Sequence, residues 1–188
     1  MSDIRYYCYP RTQAPPKFAD NIASTFRANE SEIATRQLDD GLKSDEVLDV
    51  LRSDLESIGF DVEEGKKKDE KIHRPVLYGA NGEPQLKYEV DGYHPERRYG
   101  LEVEAGRAWM GNAIYRDLIQ ASVMVQVDTL VLAVPNVYKY SGGENAAFDN
   151  TRDVVETIYT TERFELPFDM ILIGYQTLNG SSVQGLTT

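Results

Sequence analysis

The chain has 188 residues, of which 41% are hydrophobic, and a net charge of −11 at neutral pH. That length supports one α/β domain with a sizeable core, and the hydrophobic content excludes an intrinsically disordered chain. The acidity argues against non-specific adhesion to nucleic acid, whose affinity comes from phosphate contacts, so any nucleic-acid role depends on where the 20 Lys and Arg lie.

No run approaches the ~18 apolar residues of a membrane span. The opening MSDIRYYCYP lacks the basic and apolar regions of a signal peptide, and the single Cys8 excludes an internal disulfide, so a cytoplasmic location is the expectation. Cys8 lies in the apolar run IRYYCY and reads as core. With only His73 and His94, a His-rich zinc site or a Ser/His/Asp triad has little support.

In chain order, Ile4 to Tyr9 predicts a short strand, followed by Pro10, Pro15 and Pro16. Phe18, Ile22, Phe26 and Ile33 recur at helical spacing with a break near Asn29, which predicts one or two helices. Ser44 reads as an N-cap, with Asp45 and Glu46 placed to suit the helix dipole. Val47, Leu48, Leu51, Leu55 and Ile58 form one stripe, and Gly59 fits the stop. Phe60 to Glu63 is extended. The charged GKKKDEK, Gly65 to Lys71, reads as a loop whose lysines are solvated surface. A strand at 75–78 and the Asn81-Gly82 turn lead into the next strand.

Gln85 to Arg107 is the centre of the chain. Leu86, Tyr88 and Val90 alternate with Lys87, Glu89 and Asp91; Leu101, Val103 and Ala105 alternate with Glu102 and Glu104. A hairpin turning between Glu96 and Arg97 sets Asp91 opposite Glu102 and Glu89 opposite Glu104, with Val90 on Val103 and Tyr88 on Ala105. Like charges directly opposite are destabilising. Two readings stay open: an exposed acidic hairpin, or an oxygen-ligand site for a hard divalent cation such as Mg2+.

Strands at 75–78, 85–92 and 99–105 therefore form a three-strand meander. Trp109, Ala113, Ile114, Leu118 and Ala121 predict a helix over about 108–126. Thr129 to Val134 is apolar throughout, as a strand covered on both faces requires. Asp149 or Asn150 caps a helix that turns Val154, Val155, Ile158 and Tyr159 inward, and Met170 to Tyr175 is a second buried strand. This order gives a mixed central sheet flanked by helices. The expected organisation is a single α/β domain over 1–175, with an N-terminal helical extension of about 1–43 and a flexible tail at 176–188.

The order of elements and the spacing Asp91…Glu102-Val103-Glu104 resemble the PD-(D/E)xK, or restriction-endonuclease-like, nuclease superfamily over roughly Ser44 to Val134. Val90 stands where the motif has Pro, and Glu104 where it has Lys; members similar to BamHI-type restriction enzymes carry Glu there. The resemblance implies Asp91, Glu102 and the Val103 carbonyl as ligands of Mg2+ or Mn2+, with Glu104 a ligand or general base. It implies a further acid from the preceding helix, Glu56 or Glu46, and a polar residue from the following one, Gln120, which shares a face with Arg116. Glu89 lies on the same patch, and Lys87 on the same face is placed to supply the cation that the motif's Lys gives. The function implied is a metal-dependent DNA endonuclease of restriction or defence type, working as a homodimer on a palindromic site. Two alternatives remain: a nuclease-fold binding module that has lost catalysis, favoured by the missing Lys and the acidity, and an unrelated α/β domain with an acidic surface.

Overall fold

The computed structural model describes residues 2–34, 42–105, 113–140 and 143–175. The expected tail and residues 108–112 of the helix expected over about 108–126 lie outside these residues. β1 (Arg5–Tyr9) leads to α1 (Lys17–Ala28) and the short α2 (Glu30–Ile33), which part at Asn29 as the spacing predicts. α3 (Ser44–Ser57) follows, then β2 (Asp61–Val62), β3 (Ile72–Tyr78), β4 (Pro84–Val90), β5 (Gly92–His94) and β6 (Tyr99–Val103). α4 (Ala113–Val123), β7 (Thr129–Pro135), the small hairpin β8 (Tyr138–Tyr140) and β9 (Gly143–Asn145), α5 (Ala147–Thr160) and β10 (Asp169–Tyr175) complete the order.

Six strands form the central sheet in the order β1-β10-β7-β6-β5-β2. β6, β7 and β10 are parallel; β1, β5 and β2 join antiparallel. The wholly apolar β7 sits in the middle, buried along all seven residues. Its odd residues Val131 and Ala133 face the helices α1 and α3, packing with Phe26, Leu51 and Leu55. Its even residues Leu130, Leu132 and Val134 face α4 and α5, against Ile114, Leu118 and Phe148. Period-2 strands between period-3.6 helices thus build three layers. Residues 1–43, expected as a helical extension, also supply the edge strand β1, and Phe18, Ile22 and Phe26 of α1 join the main core. Cys8 on β1 is half-buried; burial, then the Asp169 charge, push its thiol up to about 11, which suits packing and not nucleophilic chemistry. No helix among the described residues is long and apolar enough to cross a membrane.

The central hairpin keeps its predicted register at the turn: Gly92 pairs with Leu101, Tyr93 with Gly100 and His94 with Tyr99. The meander is corrected beyond that point. The strand breaks at Asp91, and β4 leaves the main sheet to pair with β3 as a separate two-stranded ribbon. Glu89 therefore lies opposite His73, not Glu104. The break separates the second pair of like charges, and Asp91 replaces the lost ladder bond with its own side chain, whose Oδ2 accepts the Val103 N–H at 2.7 Å.

α3 carries Asp45 and Glu46 in its first turn, but Lys43 is the residue at its N-cap. Ser44, expected there, uses its hydroxyl to accept the Ala105 N–H at 3.1 Å. Gly59 closes the helix at φ 101°, and a Cβ there would stand 2.8 Å from His94 Nε2. Gly59→Ala is accordingly expected to cost about 2 kcal/mol from strain and the displaced ring, read as a lower urea midpoint.

Candidate metal centre

The acidic residues meet because of which way the strands face. In the parallel register Glu102 lies beside Leu132, so its side chain emerges on the α4 side of the sheet. Glu104, two residues on, emerges on the same side; its N–H bonds the Ala133 carbonyl and its own carbonyl accepts the Tyr175 hydroxyl at 2.8 Å. Asp91 approaches from the β4–β5 break. The resulting cleft, about 370 Å³, is lined by Asp91, Glu102, Asp117, Arg116, Glu63 and Lys71, and also by Lys87, Glu89 and Gln120.

α4 supplies what the sequence reading lacked. Asp117, only 2% exposed, faces Glu104 and Glu102. Its Oδ1 accepts Arg116 Nε at 3.0 Å and Nη2 at 2.8 Å, whereas its Oδ2 is buried without a hydrogen-bond partner among the described residues. The same Arg116 Nη2 reaches Glu104 Oε1 at 3.3 Å. One guanidinium therefore bridges two carboxylates at the mouth of the cleft. On the opposite wall Glu63, 6% exposed, pairs with Lys71 Nζ at 2.7 Å. Burial alone would lower the Lys71 ammonium; the Glu63 carboxylate outweighs it, so the group is held charged. Lys71→Met would leave the Glu63 charge buried alone, and an expected loss of about 2–3 kcal/mol in urea unfolding checks the pair.

This crowding pushes the carboxyls toward their neutral form. Burial raises Asp91 to about 7, with Glu63 and Asp117 adding to it and the Val103 N–H opposing. Burial and the Asp117 charge raise Glu104 to about 8. Glu102 is raised well above the ordinary range by burial, then by Asp91 and Asp117. Asp117 is raised by burial against the pull of Arg116. Carboxyls whose ionised forms repel one another at a solvent-reaching cleft mark a functional site more often than a structural one.

The chemistry of this donor set fits a hard divalent cation: all-oxygen and clustered, with Asp117 Oδ2 buried and making no hydrogen bond among the described residues. The side chains as they stand are arranged around Arg116, and among the described residues no group of three or more His, Cys, Asp or Glu is placed to hold a metal ion. A cation would therefore have to displace or share the guanidinium.

Asp91 and Glu102 line the cleft together with Lys87, Glu89 and Gln120, whereas Glu104 stands beside it, held by Arg116 and facing Asp117. The acids expected from α3 do not join them. Glu56 lines a separate depression with Phe60, Asp61 and His73, and Glu46 caps its own helix, accepting the Lys43 N–H at 2.7 Å. Their place is taken by Asp117 and Glu63. Asp117 carried a readable signal: it lies three residues after Ile114 and four before Ala121, on the apolar stripe of its helix, where a carboxylate is out of place. Lys71 carried none, since it closes a charged loop.

The fold is restriction-endonuclease-like. The structure is similar to the BglII restriction endonuclease solved in complex with a DNA 16-mer, over 93% of this chain and 77% of that one, with a TM-score of 0.54 and 10% identity. No family model and no curated protein matches the sequence.

Proposed function

We propose that the protein is a metal-dependent nuclease hydrolysing phosphodiester bonds, a DNA endonuclease of restriction or defence type. The observation that carries this is the gathering of Asp91, Glu102, Glu104 and Asp117 beside one cleft of a restriction-endonuclease-like fold. Asp91, Glu102 and the Val103 carbonyl would hold Mg2+ or Mn2+, in the D…ExE arrangement of BamHI-type enzymes, with Asp117 as a further carboxylate once Arg116 gives way. A bound cation of this kind supplies charge stabilisation at the phosphoryl oxygen and a more acidic water.

The protein's own groups do the rest. The Val103 N–H fixes the Asp91 carboxylate in orientation. Glu104, raised to about 8, carries a proton at neutral pH in the metal-free protein and would serve as a base for water only once ionised. Lys87 stands at the cleft with its cation available to a phosphate, in the place of the motif's missing Lys, while Lys71 is held by Glu63. The protein acts in the cytoplasm as a homodimer, through a single domain over 1–175 with a tail at 176–188.

The test has two parts. Mg2+ or Mn2+ binding by calorimetry is expected for the wild type and lost in Asp91→Ala; retained binding in that variant removes the metal reading. Supercoiled plasmid is expected to be nicked or linearised with Mg2+. A second reading, an inactive nuclease-fold binding module, is favoured by the Arg116 bridge and the absence of a ready ligand set among the described residues. A protein that binds metal but leaves both DNA and RNA intact selects it.

A further inference from the structure

Two cations at the cleft are paired with its acids, and they are held differently. Lys71 has a side chain only 19% exposed, with Nζ 2.7 Å from the buried Glu63 Oε2, and it is the cation that steadies the Asp91 charge. Arg116 serves the other wall. Its Nη2 lies 2.8 Å from Asp117 Oδ1 and 3.3 Å from Glu104 Oε1, and its Nε donates to Asp117 Oδ1 at 3.0 Å. Those two acids are its only hydrogen-bond partners among the described residues. The Arg116 side chain is nevertheless 60% exposed, whereas those of Asp117 and Glu104 are 1% and 14% exposed. A cation seated at the rim on buried acids has a way out into water. Lys71, enclosed with Glu63, has none.

The seat is also incompletely filled. Glu102, Glu104 and Asp117 share Arg116 as the cation that opposes their repulsion, so one unit of charge answers three acids. Both contacts of the guanidinium to Asp117 go to Oδ1, and Oδ2 is left buried without a partner among the described residues. A guanidinium is flat and directs its N–H groups along fixed lines. It therefore does not gather oxygens that arrive from several elements. A hard dication carries twice the charge and takes oxygens from several directions.

We infer that Arg116 is the resident counter-cation of the empty site: it sits on Asp117 and Glu104 until a divalent cation takes these acids over, and it is then displaced outward. The inference rests on the metal reading of this cleft. It makes Arg116 a competitor of the metal, so that removing it strengthens metal binding. An Arg116 with a merely structural role has the opposite sign, because Asp117 and Glu104 then lose the group that orients them.

The test uses Mg2+ alone, without nucleic acid. Calorimetry at about pH 8.5, above the values of Asp91 and Glu104, is expected to show at least about tenfold tighter Mg2+ binding by Arg116→Ala than by the wild type. The variant is expected to melt below the wild type without Mg2+, and saturating Mg2+ to narrow that gap. Arg163→Ala, in the connection between α5 and β10, removes one charge away from the cleft and is expected to leave the affinity within about twofold. Phenylglyoxal labelling reads the wild type directly, and decides alone where Arg116→Ala does not fold. Arg116, followed by peptide mass spectrometry, is expected to react at least about threefold faster with Mg2+ than without, as its charge-assisted bonds are given up. Arg152 is expected to react equally in both. Unchanged or weaker Mg2+ binding in Arg116→Ala overturns the inference, as does equal tightening in Arg163→Ala. A wild type that binds Mg2+ with the labelling of Arg116 unchanged keeps the metal site and removes the exchange. Absence of Mg2+ binding in both the wild type and Arg116→Ala removes both.

Discussion

Glu102→Gln is expected to lower phosphodiester cleavage by at least about a thousandfold, ~4 kcal/mol of barrier, and at the same time to raise the thermal midpoint of the metal-free protein. Both effects come from one fact. Glu102 sits on the central sheet beside Leu132, facing Asp91 and Asp117, with only Arg116 to offset three neighbouring acids. The neutral amide occupies the same volume and removes the charge that burial and those neighbours oppose. The gain is on the order of 1 kcal/mol, the usual size for relieving a strained site. A site kept for function is one whose loss stabilises the fold. The two readouts together discriminate among explanations. Lost cleavage with a lower midpoint reports a damaged core; a higher midpoint with unchanged cleavage takes Glu102 out of the chemistry.

Stability without metal is expected to fall as the pH rises from about 5 to 8, by roughly 2–3 kcal/mol, or about 6–10 °C in thermal midpoint. Asp91 is raised to about 7 and Glu104 to about 8. In this window the folded protein binds protons that the unfolded chain, with carboxyls near 4, has already released. Unfolding then releases protons, so higher pH favours the unfolded state. The contribution is fully present below the unfolded value and is lost as pH passes through the folded ones. Added Mg2+ is expected to flatten the slope, because a ligand that binds only the folded protein stabilises it and prefers the ionised carboxyls. Thermal melts across pH with and without Mg2+ measure both. A midpoint that climbs with pH in the metal-free protein contradicts the crowding of carboxyls at the cleft.

Much of the framework was legible because hydrophobic period is local. β7 and β10 announced themselves as uninterrupted apolar runs, and the stripe of α3 as Val47, Leu48, Leu51 and Leu55. The register of the central hairpin followed from alternation alone, because Leu101 and Val103 had to face the core. The detachment of β4 was not legible. It depends on a side-chain hydrogen bond from Val103 to Asp91 and on partners supplied by β3, neither of which alternation records. Of the site, Asp91, Glu102 and Glu104 could be singled out because they share one hairpin. Glu63 and Asp117 arrive from just after β2 and from α4, brought in by the topology. Choosing Glu56 and Glu46 from the preceding helix failed for the same reason: spacing placed them on the right element, but only packing decides which side of it meets the sheet.

Asp91 is where two sheets share a single residue, and both of its polar groups are tied to the core. Its carbonyl accepts the Glu63 N–H at 2.9 Å and its carboxylate the Val103 N–H at 2.7 Å. Mechanically this is a clamp. Val90, just before it, packs with Tyr93, Met124 and Val127, so the base of the ribbon and the Asp91 carboxylate are fixed to the same body. The carboxylate is thereby kept in register with Glu102 whatever the exposed end of the ribbon meets.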